Sequence, residues 1–293
     1  MLIESFLRYI RYEKNLSTHT VLSYKGDLFQ FKEFLENNYP ESEIQTVSPD
    51  QVREWVAWLS ESGVSSRSIC RKVSSLRALY GYMVRQAIIG ESPVKNIALP
   101  KVRKKIPIYL RQDSMNELLD DAQYGDGFEG IRNKLVVAMF CNTGMRRAEL
   151  IGLKDTDVRE DEIKVTGKRN KQRLIPYGEE LSCMIAEYRK ARGEQGIAGQ
   201  GYFFVRKDGS PLYPQLVYRL VNRALSQVCT LDKKSPHVLR HTFASVMLNN
   251  GAGLNSVKEL LGHHSLASTE VYTHITFEEL KQNYNQAFPK RRS

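Results

Sequence analysis

The residues best suited to chemistry begin with an arginine at the start of a predicted helix. In the segment CNTGMRRAEL, a Thr-Gly break precedes Arg146, which the pattern places in the first turn of a helix from Met145 to Leu153. Backbone N–H groups and the positive end of the helix dipole favour an anion there. Glu149, three residues on, shares the face of Arg146 and is placed to orient its guanidinium. The segment indicates a phosphate site, although an arginine at a helix start is often only a surface charge.

A second helix start carries two histidines and an arginine. In the segment SPHVLRHTFAS, Ser235 is the predicted N-cap and Pro236 the first helical residue. His237, Arg240 and His241 then stand at positions i, i+3 and i+4, on one face of the helix. Two histidines four residues apart can bind a metal, but no carboxylate lies between them as in His-Glu-x-x-His, and no cysteine is near. An imidazole beside a guanidinium indicates a phosphoryl group instead, and we expect no metal.

The third chemical segment, LGHHSLASTEVYTHI, places His263 after a glycine break and Tyr272 nine residues later. The pattern predicts a short helix from Ser268 to Thr276 around this tyrosine. A single tyrosine on a short helix is normally structural. Five of the six histidines fall between His237 and His274, however, and this grouping favours a shared site over scattered core histidines.

The charge of the chain favours a polyanionic partner. Its 293 residues include 43 Lys and Arg against 33 Asp and Glu, a formal net charge of +10, and the sequence pI is about 9.3. Many soluble proteins are basic without binding nucleic acid, so the motifs must decide. A typical single domain has about 100 to 200 residues, so the length favours two domains.

Neither the start of the chain nor its apolar runs predict export or a membrane span. Residues 1–9 lack a basic leader, and the run from Leu135 to Phe140 is far shorter than the roughly 18 residues of a span. The four cysteines are Cys70, Cys141, Cys183 and Cys229. They stand too far apart for a Cys-x-x-Cys ligand pair and are too few for a disulfide framework in so long a chain. We expect reduced thiols and a cytoplasmic protein.

The elements that must position these residues fall into two domains, of which residues 1–90 form the first. Apolar residues at helical spacing predict four amphipathic helices packed as one small bundle. Ser17 is the predicted cap of the second helix, Ser48 and Gln51 begin the third, and the fourth ends near Gly90.

Residues 91–107 predict a basic linker. The stretch SPVKNIALPKVRKKIP has three prolines, five Lys or Arg and no acid, and it shows no periodic apolar face. Either a solvated connector or one that also follows a phosphate backbone fits this composition, and the second is favoured in a chain with these motifs. Its candidate phosphate contacts are Lys101, Arg103, Lys104 and Lys105.

Residues 108–293 predict a mixed α/β domain. Two short alternating strands, Glu162 to Thr166 and Gln172 to Pro176, form a hairpin with its turn at Gly167 to Lys171. The other elements are helices. They start near Asp113 and then cover Ile131 to Cys141, Met145 to Leu153, Leu181 to Arg192, Pro214 to Val228, Ser235 to Asn249, Ser256 to Leu261, Ser268 to Thr276 and Phe277 to Phe288.

Together these segments resemble the tyrosine recombinase/integrase family, most closely its Xer-type members. The resemblance covers essentially the whole chain and rests on TGMRRAEL, GKRNKQRLIP, HVLRH and LGHHSLASTEVYTH in this order and spacing. Two departures are slight: Arg169 stands where relatives often have glycine, and Ala267-Ser268 where two threonines are common. By resemblance the catalytic residues are Arg146, Lys168, His237, Arg240, His263 and Tyr272, with Glu149 and His241 in support. Further DNA contacts are expected from Arg169, Lys171 and Arg173.

The resemblance implies a mainly α fold with a small β-hairpin. Its first part is an N-terminal SAM-like helical core-binding bundle, and its second a mixed α/β catalytic domain that ends in a subunit-exchange helix. The implied activity is site-specific recombination of double-stranded DNA through a 3′-phosphotyrosyl intermediate and a Holliday junction. Tyr272 is the implied nucleophile and Lys168 the implied general acid. No metal, ATP or other cofactor is expected.

The implied assembly is a tetramer on two synapsed DNA sites, formed by this chain alone or with a paralogue. The terminal helix fits this assembly because it carries one apolar stripe, formed by Phe277, Leu280, Tyr284 and Phe288. We expect the stripe to dock onto a neighbouring subunit, and packing on its own domain is the alternative.

Several functions remain as alternatives. A Xer-type enzyme would resolve chromosome or plasmid dimers and so serve chromosome partition at cell division, whereas an integrase would serve a phage or mobile element. The first helix starts near Leu2 and leaves no room for the extra arm-binding domain of many integrases, which favours the Xer type. A type IB topoisomerase shares the chemistry, but the N-terminal bundle and the HVLRH box favour a recombinase. A non-catalytic DNA-binding protein would have no use for Tyr272 and His263.

Overall fold

A computed structural model describes residues 2–102, 110, 112–120, 124–167, 170–229, 234–262 and 277–287, with the backbone alone at residues 112, 113 and 277–279. The chain divides into two units, Met1–Lys105 and Ile106–Ser293. No helix in the described ranges combines the length and apolar character that crossing a bilayer requires.

Four helices form the N-terminal unit: α1 (Leu2–Tyr12), α2 (Thr18–Asn38), α3 (Pro49–Glu61) and α4 (Ser66–Arg85). The caps are those that the sequence predicts. Ser17 accepts a hydrogen bond from the backbone N–H of Thr20 at 3.2 Å, and Ser48 and Gln51 form a reciprocal capping box. Helix α4 ends before the predicted Gly90, because Ala87 adopts a left-handed φ of 53° and turns the chain away.

The core of this unit is apolar, with Leu28, Phe31, Trp55 and Tyr80 among its buried side chains. One buried carboxylate, Asp27 of α2, accepts hydrogen bonds from Arg71, Lys72 and Ser75 of α4 and so ties the two helices together.

The N-terminal unit extends past residue 90, the boundary that the sequence predicts. Val94 and Ile97 are buried in its core, so the first part of the predicted linker packs on the bundle. Their two apolar side chains are too few to form a periodic pattern, which is why the sequence reads as a connector. Lys101 is exposed, and Arg103, Lys104 and Lys105 lie outside the described residues.

The described helices of the second unit are α5 (Gln112–Leu118), α6 (Gly127–Thr143), α7 (Arg147–Ile151), α8 (Glu179–Glu194), α9 (Pro214–Val228), α10 (Pro236–Asn249), α11 (Leu254–Leu261) and α12 (Phe277–Ala287). Helix α6 is central, because all its residues from Leu135 to Cys141 are buried and it packs against α8 and α10. Strands β1 (Glu162–Thr166) and β2 (Gln172–Pro176) pair antiparallel, and Val165 lies opposite Arg173. The predicted helix around Tyr272 lies outside the described residues.

Helix α12 packs on its own unit. Leu280, Tyr284 and Ala287 are buried, and the helix contacts α10, α11 and β2. Asn250 also donates a hydrogen bond to the carbonyl of Ala287 at 2.6 Å. In the single chain the described apolar side chains of α12 thus pack on their own unit, the alternative that the sequence leaves open, and docking onto a neighbouring subunit stays a prediction. Phe288 lies outside the described residues.

Candidate active site

Arg146 stands at the entry to α7 and is held there by Glu149. It is the N-cap residue and not, as predicted, part of the first turn. The backbone N–H of Arg146 donates to Glu149 Oε2 at 2.7 Å, and Arg146 Nη1 donates to Glu149 Oε1 at 2.8 Å. The contact between Glu149 and the guanidinium that the three-residue spacing predicts is thus present, and a backbone hydrogen bond adds to it. The Arg146 side chain remains 39% exposed, so it is accessible to a ligand.

A glycine makes the entry to α7 possible. Gly144 ends α6 with a left-handed φ of 58°, and a Cβ at this position would lie 2.5 Å from the ring of Phe243. The turn therefore brings the backbone close to α10, and the carbonyl of Gly144 accepts a hydrogen bond from Arg240 Nη1 at 2.7 Å.

Arg240 of α10 is a buried cation, only 7% exposed. Its second terminal nitrogen, Nη2, donates to the carbonyl of Leu261 at 2.6 Å, at the end of α11. Burial, and then the charge of Arg146, lower the pKa of Arg240 to about 10. The guanidinium still carries its charge at neutral pH. Two of its N–H groups donate to the carbonyls of Gly144 and Leu261, and these two hydrogen bonds do not use its other N–H groups.

His237 follows Pro236 in the first turn of α10 and stands one turn before His241. Both histidines are exposed. Partial desolvation of His237 lowers its pKa, and the positive charges of His241, Arg240, Arg147 and Arg146 lower it further. The imidazole is therefore neutral at neutral pH and able to accept a proton.

Glu149 bonds to two arginines, Arg146 at the N-cap of α7 and Arg173 on the hairpin. Its side chain is buried. Arg173 of β2 grips it with two hydrogen bonds, Nη1 to Oε1 at 3.0 Å and Nη2 to Oε2 at 2.9 Å. Burial opposes ionisation of Glu149, but the hydrogen bonds and charge of Arg173, with those of Arg146, outweigh it and lower the pKa of Glu149.

Arg173 is used differently from the prediction. The sequence assigns it to DNA, whereas in the structure its side chain is 10% exposed and its Nε donates to the carbonyl of Leu260 at 2.6 Å. The alternation of β2 gives a signal that sequence reasoning missed, because residues two apart in a strand share a face and Ile175 is buried. Sequence reasoning therefore missed the bonds of Arg173 to Glu149 and Leu260, and its predicted contact with DNA stays a prediction.

The remaining predicted residues divide between exposed positions and positions outside the described chain. Lys171 is exposed next to the hairpin turn, and the backbone N–H of Gly167 closes the hairpin on its carbonyl at 2.8 Å. Four further predicted residues lie outside the described part of the chain: Lys168, Arg169, His263 and Tyr272. The carbonyl of Gly262, the residue before His263, accepts a hydrogen bond from Arg146 Nη2 at 3.0 Å. The chain thus leaves α11 toward His263 directly beside Arg146.

The described residues include no group of three or more His, Cys, Asp or Glu side chains arranged to hold a metal ion. The described part of the site is cationic. Arg146 stands at the N-cap of α7, Arg240 lies on α10, and the neutral imidazole of His237 is beside them. Such an arrangement can bind a phosphoryl group and accept a proton from a nearby hydroxyl.

Family comparisons agree with this chemistry. Residues 109–279 match the phage integrase family, and residues 3–87 match the SAM-like N-terminal domain of phage integrases. The chain belongs to the tyrosine recombinase family of phage integrases. The prediction of the family from its motifs is confirmed, as is the mainly α fold with a small hairpin. Members of this family are site-specific DNA recombinases, so the chain is a DNA strand transferase.

Individual relatives align with nearly the whole length of this recombinase. Tyrosine recombinase XerC of Chlorobaculum tepidum is 35% identical over 97% of this chain and 93% of its own length. XerC of Anoxybacillus flavithermus is 36% identical over 97% of this chain and 96% of its own. Among solved structures, XerH recombinase bound to its difH substrate has a TM-score of 0.71 at 22% identity, covering 96% of this chain and 83% of XerH. The Tn1549 transposon integrase in complex with circular intermediate DNA has a TM-score of 0.69 at 21% identity, covering 96% of this chain and 98% of the integrase. These two structural likenesses concern the fold.

Proposed function

We propose that this recombinase is a Xer-type enzyme that resolves chromosome or plasmid dimers in the cytoplasm. The observation that carries the proposal is the match to XerC relatives over 97% of the chain, together with the meeting of Arg146, Arg240 and His237 in one site. An integrase of a mobile element is the rival. The likeness to the Tn1549 integrase concerns the fold and does not favour it.

The proposed reaction begins with attack by the Tyr272 hydroxyl on a DNA phosphodiester. A 3′-phosphotyrosyl bond forms and the bond to the 5′-oxygen breaks, so the energy of the diester is kept and rejoining needs no ATP. The pentacoordinate transition state carries extra negative charge on its non-bridging oxygens. Arg146 and Arg240 supply the opposing charge, with His263 as a further donor, and the reaction needs no metal.

Two proton transfers accompany this exchange. Tyr272 has an unperturbed pKa of about 10 and must lose its proton to attack. His237 accepts it in this proposal, because its pKa is lowered and its imidazole is neutral. Lys168, at the hairpin turn, donates a proton to the leaving 5′-oxygen.

Recombination joins two DNA sites, so the proposal includes a tetramer on two synapsed double-stranded sites. XerH is solved bound to difH DNA and a λ integrase fragment is solved as a dimer bound to a core site, which supports DNA as the partner. The net charge of +10 suits a DNA partner. The second recombinase in the tetramer is a further copy of this chain or a paralogue.

The test is to map the DNA ends that become attached to the protein. Purified protein is incubated with genomic DNA of its source and with nicked suicide substrates, and covalent complexes are trapped and sequenced. A dimer resolvase will attach to 3′ ends at a single chromosomal locus, and the Tyr272→Phe variant will attach to none while binding the same DNA. Attachment at the ends of a mobile element would replace the Xer assignment, and covalent complexes with Tyr272→Phe would remove the nucleophile.

A further inference from the structure

Three guanidinium groups converge on the carboxyl end of α11. The last carbonyls of a helix lack partners within the helix, and here three consecutive ones each accept a hydrogen bond from an arginine. The pairs are Arg173 Nε with Leu260 at 2.6 Å, Arg240 Nη2 with Leu261 at 2.6 Å, and Arg146 Nη2 with Gly262 at 3.0 Å. The next residue in the chain is His263. The segment that carries the proposed nucleophile therefore starts from a point fixed by three cations.

Arg173 differs from the other two arginines in what it does with its remaining nitrogens. Both terminal nitrogens of Arg173 are bound to Glu149, whose side chain is 3% exposed. The same carboxylate holds the backbone N–H and the side chain of Arg146. Arg173 is thus linked to Arg146 through Glu149, and it reaches Glu149 from a different element, strand β2.

We propose that Arg173 is a positioning residue for strand transfer: it fixes Glu149, and through it the guanidinium of Arg146, while it holds the carboxyl end of α11 from which the chain continues to His263. The inference rests on the proposed role of Arg146 in holding the scissile phosphate. It assigns to Arg173 no contact with DNA.

The physical reason lies in the cost of a buried carboxylate. Removing one partner of a buried ion pair leaves the other charge without compensation. Without Arg173, Arg146 would be the cation that remains bonded to Glu149 within the described residues, with the charge of Arg240 nearby. Protonation of Glu149 then becomes easier, and a protonated carboxyl group no longer holds Arg146 in the same way.

A second charged pair lies near Glu149 and does not replace Arg173. Lys164 of β1 and Asp157 line a cavity of about 50 Å³ that Glu149 also lines. These two side chains pair with each other at 3.1 Å. The charge of Lys164 is therefore matched already, and among the described residues of the hairpin Arg173 is the cation that bonds to Glu149.

The experiment compares Arg173→Gln and Arg173→Lys with the wild type on a nicked suicide substrate that carries the mapped site. Single-turnover cleavage is measured against pH, and DNA affinity against salt concentration. We expect Arg173→Gln to cleave roughly 10- to 100-fold more slowly, since a displacement of about 1 Å in a reacting group can cost about 10²-fold. The acidic limb of its pH profile will move to higher pH, because Glu149 gains a proton more easily. Arg173→Lys keeps the charge and will restore part of both effects.

Arg192 provides a matched control. It is 14% exposed, it grips Asp155 with two hydrogen bonds of 2.9 and 3.1 Å, and it donates to three backbone carbonyls. Arg192→Gln thus removes a similar two-hydrogen-bond ion pair from a largely buried arginine, although Asp155 is 40% exposed, in a place that the proposed reaction does not use. It will cleave within a few-fold of the wild type, with an unchanged pH profile, at temperatures where it is folded.

Three results would overturn the inference. The first is wild-type cleavage and pH profile in both Arg173 variants. The second is an Arg173→Gln variant whose slope of log affinity against log salt concentration falls by about one while its pH profile is unchanged. That result would indicate that Arg173 contacts a DNA phosphate. The third is an Arg192→Gln variant that matches Arg173→Gln in every measurement. If circular dichroism shows Arg173→Gln unfolded, Arg173→Lys decides by the same two readouts.

An Arg146→Ala arm separates this inference from the proposed function. If Arg146→Ala cleaves at the wild-type rate, the proposed function fails and the inference falls with it. If Arg146→Ala loses cleavage while both Arg173 variants behave as the wild type, the inference alone fails.

Discussion

At the scale of single residues, Arg146 and Arg240 place the same functional group in two different environments. Arg146 is partly exposed and bound by a carboxylate, whereas Arg240 is buried between the carbonyls of Gly144 and Leu261. The two side chains will therefore differ in what their loss does to the fold, even though both are proposed to hold the phosphate.

The two arginines give the first prediction. Arg146→Ala and Arg240→Ala will each slow cleavage by roughly 10²-fold or more, as removal of a donor to a transition-state oxyanion does. Arg240→Ala will in addition lower the free energy of unfolding by about 1 to 3 kcal/mol, because two buried carbonyls lose their donor. Arg146→Ala will lower it less. Single-turnover cleavage and urea unfolding measure the two effects, and cleavage within a few-fold of wild type in either variant contradicts the phosphate clamp.

His237 gives a prediction about pH. Its pKa in the free protein will lie below the ordinary value of about 6.5, because desolvation and four neighbouring cationic side chains disfavour the imidazolium. Arg147→Gln removes one of these charges, so the pKa of His237 will rise toward the ordinary value. NMR titration of the imidazole protons, assigned with His237→Gln, measures both. A wild-type value at or above the ordinary one, or a fall in Arg147→Gln, goes against the electrostatic description of the site.

At the scale of elements, the sequence predicts best where a local rule decides. The bounds of both strands and of α9 agree with the predictions, since alternation, a turn and an N-terminal proline define them. The prediction of α7 starts too early, because Arg146 itself is the N-cap and Glu149, in the first turn, accepts a hydrogen bond from the backbone N–H of Arg146.

The sequence could predict which residues belong to the candidate site, but it could not predict the hydrogen bonds between them. The motifs identify Arg146, His237 and Arg240, but a motif cannot show that Arg173 and Arg240 end on neighbouring carbonyls of α11. Those contacts join residues 21 and 87 positions apart, and such distant pairings depend on tertiary packing. For the same reason the sequence could not show that Arg173 bonds to Glu149 or that Leu280 and Tyr284 of α12 are buried on their own unit.

Helix α12 supplies a prediction of its own. Tyr284→Ala will lower the free energy of unfolding of the single chain by about 3 to 5 kcal/mol, because it empties a large buried site. Gln282→Ala, on the exposed face of the same helix, is the control and will change it by less than about 0.5 kcal/mol. Urea unfolding at several protein concentrations measures both. A stability that rises with concentration would show instead that the stripe is buried between subunits.

At the scale of the whole molecule, each unit has a core of its own, and the chain between them begins inside the first. A fragment of residues 1–105 will therefore fold as a helical bundle. A fragment of residues 1–90 will be less stable by roughly 1.5 to 3 kcal/mol for each of Val94 and Ile97, which lose their burial.

Urea unfolding of the two fragments tests this boundary. Val102→Ala in the longer fragment is the control, since Val102 is exposed and its loss will leave the midpoint unchanged. Equal midpoints for residues 1–90 and 1–105 would place the end of the first unit at the boundary that the sequence predicts.

The three arginines at the end of α11 also set an electrical balance. Within the described part of the site, Arg146, Arg173 and Arg240 stand around one carboxylate, Glu149, so two positive charges are left over before any DNA arrives. An intact phosphodiester brings one negative charge, and the pentacoordinate state of the proposed reaction brings a second. The net positive charge of these four side chains therefore equals the negative charge of the pentacoordinate phosphate and exceeds that of the intact diester. A site with this charge balance stabilises the transition state more than bound DNA, so it lowers the barrier to cleavage and does more than increase the affinity for DNA.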